Sequence, residues 1–280
     1  MNKVEAKITA SDILALILFL VLLSVPTYFA YTILFPRVKI FDTEIEEEVE
    51  EEEDKEEEIK VDVFDTPHYE EVYQDIHGQT AYIAIPKKIT EVTTPTIVVY
   101  SHGSNTEVTT DTEDPFMRDL QLYGKAFTKN NYIFAASNQH GANWGSSQAI
   151  QDTMNMIEYI KENYDTQEKI YMIGYSMGGL PTMNFATTYP EIVSKIALLA
   201  PTTYSTEWNT AKVQKIENID IQIWHGTADV NVPYSLSTTF VNKLNSLGRE
   251  IPLITINGIG HWDLDTEYID ELIQYFLGNL

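Results

Sequence analysis

From residue 81 onward, short and almost continuously apolar runs alternate with longer stretches in which apolar residues recur every three or four positions. The runs occupy 81–85, 97–100, 132–136, 170–173, 196–199, 219–224 and 252–256. Uniform hydrophobicity over so few residues is what a strand buried on both faces of a sheet requires. The stretches 116–128, 146–163, 178–188, 235–246 and 266–277 carry helical spacing, as in Ile150, Met154, Ile157 and Ile160. Repeated strand, helix, strand units predict an α/β fold with a mostly parallel, doubly wound sheet of about 7–8 strands and helices on both faces. No internal repeat interrupts the pattern.

The N-terminal part has a different pattern. No charged residue occurs from 13 to 35, and most positions are Leu, Ile, Val, Phe, Ala or Tyr. At ~1.5 Å per residue, a helix of that length matches a hydrocarbon layer of ~30 Å. We therefore expect a flank at 1–12, a single transmembrane helix at 13–35, an acidic disordered linker at 36–65 and a catalytic domain at 66–280. The competing reading is a cleaved signal peptide with its apolar centre at 14–23, but Tyr28 ahead of Ala30 spoils the small residue pattern of a cleavage site. Lys3 and Lys7 precede the span while Arg37 and Lys39 follow it, so flanking charge barely sets orientation. A single anchor followed by a tether is a common way to display an exported domain, and the expected placement is a single-pass membrane protein with the catalytic domain outside the cytoplasm.

Charge narrows the choice of partners. The formal net charge is −24, and about half of it comes from the Glu-rich block 42–60, which has too little apolar surface to fold and repels itself into an extended spacer. So acidic a chain is unsuited to nucleic acid, whose phosphates are met by Lys and Arg. Cysteine is absent, so no disulfide framework exists. Neither a metal-ligand spacing nor a phosphate loop stands out, and no cofactor is expected.

Three loops carry the chemistry. The run Ile170-Tyr171-Met172-Ile173 leads into Gly174-Tyr175-Ser176-Met177-Gly178, a strand that turns through a serine into a helix, with glycines leaving room for the turn. Asp229 lies on the loop after the run ending at Trp224, in His225-Gly226-Thr227-Ala228-Asp229, and His261 lies on the loop after the run ending at Ile256. A serine hydroxyl becomes nucleophilic when a neutral imidazole accepts its proton, and the imidazole needs a carboxylate to fix its tautomer and offset its charge. Ser176, His261 and Asp229 suit those three roles, and the Met177 N–H at the start of a helix suits an oxyanion.

From about Tyr69 onward the chain resembles the α/β-hydrolases, in which G-x-S-x-G, an acid and a histidine follow one another in this order. The resemblance implies an α/β-hydrolase fold and a catalytic triad of Ser176, Asp229 and His261. It also implies a second oxyanion donor in Ser101-His102-Gly103-Ser104-Asn105. That segment departs from the longer Gly-rich form, which leaves the Ser104 N–H as first choice and Gly103 as the next. The implied activity is cleavage of carboxylic esters through an acyl-enzyme. A peptidase or amidase of the same fold and a catalytically silent hydrolase-like binding protein are the alternatives.

Several residues remain to be placed. Asp263 and Asp265 rival Asp229, but a near neighbour of His261 seldom reaches the ring nitrogen facing away from the serine, and Asp265 reads as a cap for the last helix. His102 and His225, beside glycines at strand ends, read as structural. His140, Asn143 and Trp144 follow a strand at the edge where ligands collect in open parallel sheets, and are expected to line the cleft; Tyr204 and Trp208 form a second candidate wall. Only about twenty residues separate the run ending at Leu199 from that beginning at Ile219. This leaves little room for a covering domain and suits small or surface-presented esters.

Overall fold

The computed structural model describes residues 68–87 and 94–280. The expected flank 1–12, membrane span 13–35 and linker 36–65 lie outside the described residues. Among the described residues, no helix is long and apolar enough to cross a membrane.

Among the described residues, eight strands form one sheet: β1 (Tyr69–Ile76), β2 (Gln79–Pro86), β3 (Thr96–Ser101), β4 (Tyr132–Ser137), β5 (Ile170–Tyr175), β6 (Val193–Leu199), β7 (Asp220–Gly226) and β8 (Leu253–Ile256). Their spatial order is β1-β2-β4-β3-β5-β6-β7-β8. β1 and β2 run antiparallel to each other, and β2 runs antiparallel to β4; the remaining neighbours are parallel. The helices are α1 (Pro115–Lys129), α2 (Ser147–Asn163), α3 (Gly179–Thr188), α4 (Thr210–Lys215), α5 (Tyr234–Ser246) and α6 (Ile269–Leu277).

Alternation along the strands divides the core between the two sheet faces. Ile97 and Val99 of β3 join a cluster with Ile157 and Ile160 of α2, Phe185 of α3, Val213 of α4 and Phe240 of α5. Val98 and Tyr100 point the other way, into an aromatic-rich cluster with Leu120, Tyr123 and Phe127 of α1 and Leu272 and Phe276 of α6. Burial on both sides explains why β3 and β4 read as unbroken apolar runs.

The structure adds two elements to those read from the pattern and revises a third. β1 is an edge strand with Glu70, Glu71 and Asp75 along it, so it lacks the apolar run of a central strand. It joins β2 through His77 and Gly78, both at positive φ (52° and 82°), the backbone of a tight hairpin turn. α4 has six residues and buries only Val213, too few for a helical repeat to show. The helix expected over 266–277 begins at Ile269, after two short 3-10 turns at Trp262–Leu264 and Thr266–Tyr268. Asp265 therefore does not cap it.

Candidate active site

Ser176 follows β5 and opens a 3-10 turn, Ser176–Gly178, that runs into α3. Its φ is +55°, a left-handed backbone rarely taken outside glycine. The motif's glycines are not themselves the strained residues; they permit close approach. A Cβ on Gly178 would lie 1.9 Å from the Ser101 carbonyl oxygen, and one on Gly174 would lie 2.8 Å from the Gly178 carbonyl oxygen. The Ser176 carbonyl accepts from the Thr202 N–H (2.7 Å), which holds the turn from behind.

The loops after β7 and β8 are adjacent because the strands are, and they interlock. The Thr227 N–H donates to the Ile256 carbonyl (2.9 Å) and the Ala228 N–H to that of Ile259 (3.0 Å). A Cβ on Gly226 would fall 2.2 Å from the Ile259 oxygen, so only glycine allows this contact. Asp229 and His261 are thereby brought together from positions 32 residues apart.

The three side chains form one hydrogen-bonded run. Asp229 Oδ1 accepts from the N–H groups of Asn231 (2.9 Å) and Val232 (2.8 Å), which orients the carboxylate. Asp229 Oδ2 accepts from His261 Nδ1 (2.7 Å). With Nδ1 carrying the proton, Nε2 is free to accept from Ser176 Oγ at 2.9 Å. All three residues are buried, which strengthens these bonds relative to water. Asp263 does not compete with Asp229, because its Oδ2 accepts from the Gly260 N–H (3.2 Å).

A cavity of about 270 Å³ opens over Ser176, bordered by Gly103, Ser104, Met177, Leu236, His261 and Trp262 among others. The Met177 N–H lies in the first turn of a helix, where no preceding turn supplies an acceptor. Gly103 packs directly on the serine; a Cβ there would sit 3.6 Å from that of Ser176. The segment behind it is fixed by His102, fully buried, whose Nδ1 lies 2.8 Å from the Gly103 carbonyl and whose Nε2 lies 2.9 Å from that of Asn138. Burial lowers the proton affinity of His102 against the opposing pull of these two carbonyls.

The expected cleft walls divide. Trp144 borders the cavity with 52% of its surface exposed; its φ of +48° and its N–H···Sδ contact to Met177 (3.4 Å) hold it there. His140 and Asn143 are turned to other work. His140 Nδ1 pairs with Asp152 Oδ2 (2.5 Å), while the Asn143 side chain accepts from the Gly145 N–H (2.9 Å) and so closes its own turn. Tyr204 and Trp208 do not border the cavity. Trp208 is 7% exposed and packs edge-on against Phe240 at 5.4 Å, as a core residue; Tyr204 lies in the same region, facing outward. Residues that the sequence did not mark as walls include Leu236 and Trp262, the latter 60% exposed and next to His261. Adjacency to His261 was the available signal for Trp262; Leu236 had none.

Beyond Trp262 and Tyr175 a second cavity of about 590 Å³ carries Glu107, Asp114, Asp119 and Asp265. Asp265 is a partly buried carboxyl held by phenols: Tyr123 donates to Oδ1 at 2.8 Å and Tyr100 at 3.0 Å. Burial pushes it up to about 6, with the two tyrosines pulling the other way. Tyr175, whose hydroxyl donates to the His261 carbonyl (3.1 Å), is also pushed up, first by burial and then by the charges of Asp265 and Asp229.

A model of the α/β hydrolase fold matches residues 121–246. Among solved structures, a thermostable esterase superposes with a TM-score of 0.56 at 17% identity over 75% of this chain; the chain spans 63% of that protein, less than two thirds of it. Est1E from Butyrivibrio proteoclasticus gives 0.55 at 19% identity, covering 75% of this chain and 98% of its own. An acylaminoacyl peptidase from Pyrococcus horikoshii gives 0.54 at 13% identity, covering 75% and 41%. No curated protein matches the sequence. The chain has the α/β-hydrolase fold.

Proposed function

We propose that this protein is a serine hydrolase that cleaves carboxylic esters through an acyl-enzyme. The observation that carries the reading is the unbroken run from Ser176 Oγ through His261 to Asp229, 2.9 and 2.7 Å long, with all three residues buried and Ser176 and His261 lining the cavity. In this scheme His261 Nε2 takes the hydroxyl proton as Ser176 Oγ bonds to the ester carbonyl carbon, and Asp229 offsets the imidazolium charge. The N–H of Met177 and that of Ser104 or Gly103 stabilise the oxyanion. His261 passes its proton to the departing alcohol, and water activated by the same imidazole releases the acid. The cleft is small, about 270 Å³, and is bordered by two exposed indoles, which suits small or surface-presented esters.

The same relay opens amides, and the fold is shared with a peptidase, so amide cleavage is the second reading. The test is labelling with a fluorophosphonate. Wild-type protein is expected to label and Ser176→Ala is not; an unlabelled wild type would leave a silent binding protein as the better account. Turnover of p-nitrophenyl esters against aminoacyl anilides then separates esterase from peptidase.

We infer further that the uncharged run 13–35 anchors the enzyme to a membrane, with 36–65 as its spacer and the catalytic domain outside the cytoplasm. Cleavage within the Glu tract of intact cells is expected to release an active soluble domain. A domain shielded from added protease would reverse the orientation.

A further inference from the structure

A second imidazole approaches the acid of this relay from its far side. His225, at the end of β7, is fully buried, and its Nε2 lies 3.2 Å from Asp229 Oδ2, the same oxygen that accepts from His261. That nitrogen is also 2.9 Å from the Val232 carbonyl. On the other edge of the ring, Nδ1 lies 2.7 Å from the hydroxyl of Ser237, a fully buried residue in the first turns of α5.

These contacts locate the ring proton. Carbonyl and carboxylate oxygens only accept, so Nε2 must carry hydrogen. A second proton on Nδ1 would create a buried cation, and burial lowers the proton affinity of His225, opposed more weakly by the Val232 carbonyl and Asp229. The ring is neutral, and its Nδ1 lone pair needs a donor. A serine hydroxyl serves as either partner; here it donates.

We propose that His225, locked by Ser237 as the Nε2–H tautomer, is a positioning residue that holds Asp229 Oδ2 in line with His261. Two backbone N–H groups fix Oδ1, while the Nε2–H of His225, donating to the Val232 carbonyl, keeps its positive edge 3.2 Å from the other oxygen and so favours its position. Its proton also shares the charge on Oδ2, which moderates how strongly Asp229 retains the His261 imidazolium. The proposal rests on the roles given above to Ser176, Asp229 and His261.

Its test uses the full chain, with p-nitrophenyl acetate turnover against pH and ring nitrogen-15 spectra of the histidines. Wild-type His225 is expected to show a protonated Nε2 and an accepting Nδ1. His225→Leu is expected to lower kcat about 10- to 100-fold with KM within about twofold, since ground-state binding is untouched. Its acid limb is expected to move to higher pH, because Oδ2 then faces His261 without the N–H edge of His225 beside it. His225→Gln, which returns an N–H donor at a similar reach, recovers kcat to within about fivefold of wild type, and Ser237→Ala costs about three- to tenfold. Should the Leu variant fail to fold, Gln and Ser237→Ala carry the test. A folded Leu variant with unaltered kcat and pH profile, Gln performing no better than Leu, or a wild-type ring protonated at Nδ1 alone would each overturn the proposal. Wild-type protein with the expected tautomer but no turnover would instead count against the ester reading.

Discussion

Two carboxylates serve the segment that presents His261, and they are held in contrasting ways. Asp229 comes from a neighbouring strand end and is surrounded by donors: two backbone N–H groups on one oxygen and the His261 imidazole on the other, with His225 Nε2 3.2 Å from that same oxygen. Asp265 sits four residues beyond His261 and is given two phenol hydroxyls. The well-supplied acid touches the imidazole; the sparsely supplied one holds its ring of tyrosines and never meets it. Proximity along the chain thus says little about reach, since a side chain four positions away leaves the loop in another direction. Donor supply explains the other difference. Asp265, desolvated and met only by neutral hydroxyls, is pushed up to about 6.

Asparagine at each position breaks the comparison most sharply. Asp229→Asn is expected to cut turnover by about 10³- to 10⁴-fold while the fold persists, because the amide cannot hold His261 in the same tautomer. Near-normal rates in that variant would remove Asp229 from the relay. Asp265→Asn, by contrast, is expected to keep turnover within about tenfold of wild type, since the residue acts on His261 only through packing.

The effect of Asp265 is on stability against pH. Its folded value of about 6 lies above the unbound carboxyl's 3.8, so the protein favours the protonated form. The stability this contributes is complete below pH 3.8 and is lost as the pH rises through about 6. Asn has no such titration. Urea unfolding at intervals from pH 4 to 7 is therefore expected to show wild type losing on the order of 1–2 kcal/mol relative to Asp265→Asn, a figure reduced for the partial exposure of the carboxyl. A constant difference between the two across that range would contradict the assignment.

Tyr123→Phe sharpens the same point with a smaller change. Removing the 2.8 Å donor is expected to cost about 1 kcal/mol at neutral pH and to push Asp265 higher still, so the pH-dependent loss shifts upward. Smallest of all is Tyr175→Phe, which deletes the bond to the His261 carbonyl. Turnover is expected to fall only a few-fold, as the backbone of the segment loosens without losing any reacting group. A loss comparable to that of Asp229→Asn would make Tyr175 part of the chemistry.

The central strands were legible because a sheet covered on both faces leaves no polar positions, as in Tyr132–Ser137, where every residue is buried. The strand ends bearing Ser176, Asp229 and His261 were legible from their order and from the turns around them. What escaped depended on distant partners. Trp208 after a strand reads alike whether it faces a cleft or the core; Phe240, 32 positions on, decides the matter. Asp265 looked like a helix cap because its tyrosines lie 142 and 165 residues away. β1 carries the charges of an edge strand, and nothing in its own pattern separates it from a loop.

The sheet ends in a four-residue strand, β8, with a single neighbour, and the segment bearing His261 hangs from it. Ser176 springs instead from the middle of the sheet, flanked on both sides. Fraying of the C-terminal edge would therefore carry off His261 while the turn at Ser176 stays in place. Under the proposed function, heat or denaturant is expected to abolish turnover before the protein melts, and cooling to restore it without a full refolding cycle.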